Sequence, residues 1–141
     1  MLLSLPFEDQ FAIEKTVVWF FKFIDDRAYE SMWDLMAPGG FWDRSGERLD
    51  DRESFMAAMA IRPAHMVIRH LPINFGVEEW KDGIAEASFD LILYRHIGQV
   101  SEPPAPLIGA RAITHWKAAL ERGEGAWKIK SLTFEVLLVR A

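Results

Sequence analysis

The amino-acid sequence predicts an α+β fold, in which three N-terminal helices pack on one face of a strongly curved antiparallel sheet. In the first half of the chain, apolar residues recur at helical spacing between helix-capping and helix-ending residues. In the second half, apolar and polar residues alternate in long runs that short Gly-containing turns separate. A curved sheet covered by helices forms a cone-like α+β barrel, whose interior can hold a small apolar ligand.

Composition limits the classes of protein that need to be considered. The 141 residues are half hydrophobic, carry a formal net charge of −5 and include no Cys, which suits a single domain over 1–141. Disulfides and a Cys nucleophile are excluded, and the lack of a basic run argues against nucleic acid. Metal-site spacings, a signal peptide and a membrane-spanning stretch are not recognisable. We therefore expect a cytoplasmic protein with no cofactor, no metal and no membrane contact.

The first predicted helix covers 8–24, where apolar residues form stripes on two sides. Ser4 is its expected cap, and Pro6 suits its first turn. Asp25 and Asp26 follow the helix and are suited to cap the next one.

A second helix is predicted over 28–37, where the following Pro-Gly-Gly would end it. A short strand pair is expected over 41–48, around a Ser-Gly turn. A third helix over 51–61 is predicted because Asp50 and Glu53 have capping-box spacing.

The rest of the chain is predicted to be a β-meander with two long loops or turns rich in Gly and Pro. The hairpin loop is expected to be the three residues 81–83, and its register opposes Val77 with Ala87. Continuing the register opposes Phe89 with Trp116 and Trp116 with Leu132. The expected strands begin with 63–80 and end with 107–121 and 127–140, and a change of phase between Ile129 and Leu132 indicates a bulge in the last one.

The strand over 63–80 contains His70 within an apolar pattern that changes phase. An extra residue near Leu71-Pro72 would bring Met66, Ile68 and His70 to the face of Ile73, Phe75 and Val77, and Pro suits such a bulge. His70 would then point into an apolar interior. Without the bulge, His70 lies on a polar outer face, and the pattern alone favours neither arrangement.

These residues together resemble a known family. The segments FIDDRAYESMWDLMAPGGFWDRSG and IRHLPIN, the DG turn and the G-x-W-x-I strand look like the SnoaL-like branch of the nuclear transport factor two-like superfamily. Its members include polyketide cyclases, ketosteroid isomerase, scytalone dehydratase and a hexachlorocyclohexane dehydrochlorinase. The resemblance covers nearly the whole chain and implies dimers or trimers.

In the dehydratase and dehydrochlorinase branch, an Asp at the end of the first helix pairs with a His on the first long strand. The resemblance assigns these places to Asp25 and His70, with His70 taking a proton and Asp25 orienting the imidazole. Phe20 and Leu132 stand where the dehydrochlorinase has Lys and Arg. Their loss argues against an anionic leaving group and implies a pocket that keeps only the dyad. The alternative is that Asp25 only caps a helix and that His70 is a sheet residue without a functional role.

The resemblance implies a cofactor-free lyase or isomerase that abstracts a proton from a small hydrophobic cyclic substrate. The alternative is a non-catalytic binding or assembly domain, like the β subunits of ring-hydroxylating dioxygenases or a ligand carrier, although this chain is shorter than such subunits. Aromatic and apolar residues form the expected pocket wall. They are Trp19, Phe20, Phe23, Tyr29, Trp33, Phe41, Phe55, Ile68 and Trp116.

Two features of the outer sheet face are also expected. Asn74, Asp90, His115 and Thr133 fall in one cross-strand row, either as a second polar site or as a solvated face. Apolar residues on the same face, including Ile92, Ile113 and Leu137, favour a homodimer or homotrimer.

Overall fold

A computed structural model describes residues 5–141, which form one six-stranded sheet and three helices. The elements in chain order are α1 (Phe7–Asp25), α2 (Tyr29–Trp33), β1 (Met36–Arg44), β2 (Glu47–Leu49), α3 (Arg52–Ala60), β3 (Met66–Lys81), β4 (Ile84–Ile97), β5 (Ala112–Arg122) and β6 (Trp127–Val139). The α+β prediction is confirmed, but β1 and β2 come between the second and third helices. The three helices are therefore not an uninterrupted N-terminal group.

The strand order across the sheet is β2-β1-β6-β5-β4-β3. Neighbours are antiparallel except β1 and β6, which are parallel and pair Trp42 with Leu132. The expectation of a purely antiparallel sheet is therefore wrong, because β1 adds to the edge of the meander beside the last strand of the chain. Since β2 and β3 remain separate edges in the described residues, the sheet curves without closing into a barrel.

The helices differ from prediction mainly at their ends. Pro6 occupies the N-cap position of α1 without a side-chain cap, and Ser4 lies outside the described residues. The short helix α2 has Ala28 as its N-cap, so Asp25 and Asp26 do not cap it. At α3 the capping box joins Asp51 and Ser54, rather than the predicted Asp50 and Glu53.

The second helix is shorter than predicted because residues 36–44 form strand β1. Gly40 lies directly against the neighbouring strand: a Cβ atom there would be 2.7 Å from the carbonyl oxygen of Ile129 and 2.9 Å from that of Ala37. Such close backbone approach requires Gly. The Pro-Gly-Gly segment, which we expected to end a helix, instead belongs to the strand that pairs with β6.

The predicted bulge of the central strand exists, but it lies beyond the expected position at Leu71-Pro72. The pairing of β3 with β4 is regular over 66–73 and resumes at Gly76, so the extra residue falls within 74–75. Asn74 has a φ of 52°, a conformation that Asn tolerates better than most residues. The side-chain direction therefore changes after Ile73 and not before it.

This position determines which side chains of β3 face the core. Ile68 and His70 share the inner face with Val77, the partner of buried Ala87. Leu71 and Ile73 face outward and are 42% and 39% exposed. The expectation that Ile73 lies on the inner face is wrong, whereas the inward orientation of His70 is the one that the structure has.

The hairpin turn and the last strand differ in detail from the prediction. The β3–β4 turn has two residues, Asp82 and Gly83, both with positive φ, whereas three were expected. A register shift places one extra residue in β6 between Ile129 and Ser131, which confirms the predicted bulge there. Trp116 pairs with Phe134 and not with the predicted Leu132, and β5 begins at Ala112 instead of residue 107.

The core lies between α1 and the inner faces of β4, β5 and β6. Phe21 of α1 is fully buried, and its ring packs edge-on against Phe89 at 5.8 Å and Trp116 at 5.1 Å between centroids. The neighbouring Phe20 packs against Trp42 and Phe55. Aromatic packing thus fills the middle of the fold, and a cavity lies towards the C-terminal end of α1.

Candidate active site

A cavity of about 440 Å³ opens at this end of the fold. Its deep part is formed by buried side chains of the sheet and α1, among them Ile24, Leu91 and Trp116. Its mouth is formed by exposed residues, among them Ile61 and Ile97. The volume is within the range of small-molecule sites in proteins.

His70 lies in the wall of this cavity and is held by Asp25. One carboxylate oxygen of Asp25, Oδ2, accepts the backbone N–H of His70 at 2.8 Å. The other, Oδ1, lies 2.5 Å from the ring atom Nδ1. Side-chain exposure is 6% for Asp25 and 12% for His70, so the pair is largely shielded from water. Two contacts from one carboxylate restrain both the strand and the ring.

The second ring nitrogen of His70 is available for chemistry. An ionised carboxylate only accepts hydrogen bonds, so the proton of a neutral ring is assigned to Nδ1 and the lone pair to Nε2. Among residues 5–141, no side chain or backbone group is bonded to Nε2, and this atom is not sealed from solvent. Phe21 stacks on the ring, with 5.6 Å between centroids and 29° between planes. The arrangement leaves a fixed imidazole with its basic nitrogen free.

Local sequence explains this placement. Asp25 is the last residue of α1, at a helix end, where a short side chain can reach beyond the helical turn. His70 pairs with Leu93 in the regular part of β3, two residues from Ile68 and on the same face. The structure brings Asp25 and His70 into contact, while their catalytic roles stay a prediction. The helix-cap alternative for Asp25 is wrong, because its carboxylate bonds His70 and Ala28 is the N-cap of α2.

Three arginines line the same cavity, and the sequence analysis did not assign any of them to the site. They are Arg44, Arg62 and Arg95. Arg62 is only 9% exposed, and its Nη1 donates to the carbonyl of Ile24 at 2.9 Å and to the hydroxyl of Tyr29 at 2.8 Å. The view that the pocket keeps only the dyad is therefore wrong.

A sequence signal for one of these arginines exists. Trp42 and Arg44 are two residues apart in β1, so they share a face of that strand. Trp42 is buried and lines the cavity, and the guanidinium of Arg44 lies 5.5 Å from its ring centroid. Alternation in FWDR therefore predicts an inward Arg once Trp42 is taken as core.

Of the nine residues expected to form the pocket wall, Ile68 and Trp116 line the cavity. Trp19 and Phe23 instead line a shallow groove on the outer side of α1. Phe20 and Phe55 are fully buried in the core. These residues differ from prediction because helical spacing does not tell which apolar stripe faces the core and which faces outward.

The remaining three aromatic residues do not line the cavity. Tyr29 bonds Arg62, and Trp33 packs against Phe55 with 5.3 Å between centroids. Phe41 lies under the guanidinium of Arg48 at 3.9 Å, outside the cavity.

A second Asp–His pair lies on the outer face of the sheet. Nδ1 of His115 is 2.8 Å from Oδ1 of Asp90, and the amide of Asn74 donates to Oδ2 at 3.2 Å. These two hydrogen bonds, that of His115 first, hold the pKa of Asp90 below its usual value. Thr133 was expected in this row, but it pairs with Lys117. Like the inner pair, this pair consists of an Asp and a His, but neither residue lines the cavity.

Two further observations concern the described part of the chain. No group of three or more His, Asp or Glu residues there is arranged to hold a metal ion. No helix there has the length and apolar character required to cross a bilayer.

The chain is similar to solved structures over nearly its whole length. Aln2 from a Streptomyces species matches with a TM-score of 0.77 and 16% identity, covering 94% of this chain and 93% of that one. A protein from Catenulispora acidiphila in complex with S-DNPA matches with a TM-score of 0.76 and 15% identity, covering 93% and 95%. A protein from Novosphingobium aromaticivorans, named as the β subunit of an aromatic-ring-hydroxylating dioxygenase, gives 0.73 and 14%, covering 94% and 91%.

At these identities the likeness concerns the fold alone. Comparison with curated proteins gives no match. The model of the SnoaL-like domain, however, matches residues 6–133 of this chain. The chain therefore belongs to the SnoaL-like domain family.

Proposed function

We propose that the protein is a cofactor-free lyase or isomerase, in which His70 removes a proton from a small cyclic substrate. The observation that carries the proposal is the hydrogen-bonded Asp25–His70 pair in the wall of a largely apolar cavity. Membership of the SnoaL-like family supports a reaction of the cyclase or isomerase type.

In the proposed reaction, Nε2 of His70 takes a proton from a carbon next to an electron-withdrawing group. The positive charge that then forms on the ring is stabilised by the carboxylate of Asp25, which already accepts from Nδ1. In an isomerase the proton returns to another carbon and the double bond moves. In a lyase it leaves with a hydroxyl group as water. Either sequence restores the neutral imidazole and balances atoms without an added reagent.

The volume and the apolar walls of the cavity suit a substrate with one or two rings. Its walls include Ile68, Leu91 and Trp116, and its volume is about 440 Å³. Low water content around the pair strengthens the attraction between the carboxylate and the charged ring. A small, mainly apolar cyclic compound is therefore the proposed ligand.

The test is hydrogen–deuterium exchange at the carbon next to the carbonyl of small cyclic ketones in D₂O, followed by proton NMR. The wild-type protein should accelerate loss of the signal for at least one ketone of the panel. His70→Gln should reduce that acceleration by about 10²–10⁴-fold, the usual contribution of a general base. Asp25→Asn should reduce it less, because the base remains but its orientation and charge stabilisation are lost.

His115→Gln is the matched control, because His115 also pairs with an Asp but lies outside the cavity. It should exchange ketones at the wild-type rate, and circular dichroism should report an unchanged fold for all variants. Equal exchange by the wild type and His70→Gln, or no exchange by the wild type with any ketone, would contradict the proposal.

The second candidate is a non-catalytic binding or assembly domain, favoured by the likeness of the fold to a dioxygenase β subunit. That chain is covered to 91%, so a shorter length does not count against this candidate. A carrier would bind cyclic ligands in the cavity with no His70-dependent exchange.

A further inference from the structure

The cavity combines cationic side chains with an absence of anionic ones in its lining. Arg44, Arg62 and Arg95 line it, and no Asp or Glu is among the described residues that do. Asp25 lies behind His70, to which both of its carboxylate oxygens are bonded. The cavity therefore has a positive charge that the apolar ligand of the proposed function does not use.

Arg62 gives the strongest indication of an anionic ligand, because it is the buried one of the three arginines. Burying a cation without a counter-ion is unfavourable, since the charge loses its hydration. Among the described residues, no carboxylate lies within 4.0 Å of this guanidinium. Its hydrogen bond to the carbonyl of Ile24, near the negative end of α1, offsets only part of that cost. An anion in the cavity would supply the missing partner.

Arg44 is a second cationic side chain of the cavity, and it strengthens the case for an anionic ligand. Burial, followed by the nearby charge of Arg62, lowers the pKa of Arg44 from its ordinary value. Its neighbour across the β1–β2 turn, Glu47, is beyond ion-pair distance within the described structure. Two like charges facing the same space destabilise the empty site, and a bound anion would relieve that repulsion.

We infer that the cavity binds a cyclic compound with a carboxylate group, which Arg44 and Arg62 hold while its ring lies against the apolar wall. Guanidinium groups present paired N–H donors that match the two oxygens of a carboxylate. Arg95, an exposed residue of the mouth, adds attraction for the same charge. This inference refines the ligand class of the proposed function, but it concerns binding and does not require turnover.

The probes are 1-naphthoate and its neutral isostere 1-naphthamide, measured by isothermal titration calorimetry. The wild type should bind the carboxylate at least tenfold tighter than the amide. Arg44→Met should remove most of this preference by weakening naphthoate alone, because the amide makes no charge interaction. Calorimetry measures binding without turnover, so a failed test of proton transfer and a failed test of anion binding are separate results.

Arg48→Met is the matched control. Arg48 lies in the same hairpin but pairs with Asp43 outside the cavity, so its loss should leave the preference unchanged. Arg62→Met should act like Arg44→Met, and if burial of Arg62 makes that variant unfold, Arg44→Met alone decides. Equal affinity for the two probes, no binding of naphthoate, or equal effects of Arg44→Met and Arg48→Met would overturn the inference.

Discussion

Asp25 illustrates how one residue connects distant parts of the chain. It ends α1, and its carboxylate bonds both the backbone and the ring of His70, which is 45 residues away in the sequence. Sequence spacing gives Asp25 only the properties of a helix-end residue, for which capping is the common role. The contact with His70 was predicted from the resemblance, and only the packing of α1 on β3 brings the two residues within hydrogen-bond distance.

The outer Asp–His pair gives a pH-dependent prediction. The pKa of Asp90 is lowered in the folded protein, mainly by the hydrogen bond with His115. The unfolded chain therefore binds more protons here as the pH falls through about 4, and the stability that Asp90 contributes is present above that pH and lost below it. Asp90→Asn should be less stable than the wild type at pH 7, and the difference should shrink by pH 3.

Urea unfolding of both proteins at pH 7, 5 and 3 measures this difference in unfolding free energy. A gap that is the same at pH 3 and pH 7 would contradict the assigned role of the Asp90 carboxylate.

Arg44 and Arg62 show what residue-level reasoning missed. A charged side chain is usually exposed, so an Arg near a helix end or a turn is by default assigned to the surface. Arg62 becomes a cavity residue because it bonds the carbonyl of Ile24 and the hydroxyl of Tyr29. Ile24 lies near the end of α1, and Tyr29 is the first residue of α2. No local sequence pattern relates either residue to Arg62.

At the scale of elements, the parallel pairing of β1 with β6 depends on Gly40. Gly40→Ala should lower the unfolding free energy by about 1–3 kcal/mol, as overpacking does, because its Cβ would meet two backbone carbonyl oxygens within 3 Å. Backbone atoms cannot move aside as a flexible side chain can. Urea unfolding monitored by Trp fluorescence measures the change.

Gly76→Ala is the matched control. It lies in β3, and among the described residues, its two chain neighbours aside, no atom lies within 4 Å of the position that its Cβ would take. Its stability should change by no more than about 0.5 kcal/mol. If the two variants are equally stable, the close approach of β1 and β6 does not have the importance that we assign to it.

The elements themselves were predictable where local signals are strong. Apolar periodicity gives α1, and Gly83 and alternation give the β3–β4 hairpin to within one residue of its turn. The strand pair expected over 41–48 exists, but 36–40 was misassigned because the pairing of this part of β1 involves β6, some ninety residues later in the chain. The exact position of the β3 bulge was also out of reach, since either Pro72 or Asn74 suits an irregularity.

At the scale of the whole molecule, the outer sheet face has a continuous apolar row across four strands. Leu71 pairs with Ile92, Ile92 with Ile113, and Ile113 with Leu138. Leu71 and Leu138 are 42% and 64% exposed. Contiguous apolar surface of this kind is typical of an interface.

We therefore expect self-association through this row. Sedimentation velocity should detect a species larger than the 16.2 kDa monomer, and Ile113→Glu should convert it to the monomer by placing a charge in the row. A wild-type protein that stays monomeric throughout the micromolar range would contradict the expectation, which the sequence alone could not resolve into dimer or trimer.

The irregular middle of β3 affects how readily the protein could form fibrils. Because β3 is an edge of the sheet, its unpaired backbone groups form a template on which a strand of another molecule could grow into a fibril. Pro72 supplies no N–H group to such a guest strand, and the bulge at 74–75 interrupts the spacing that the guest would need. We therefore expect Pro72 and the bulge to disfavour amyloid-like extension along β3, the longer of the two edge strands.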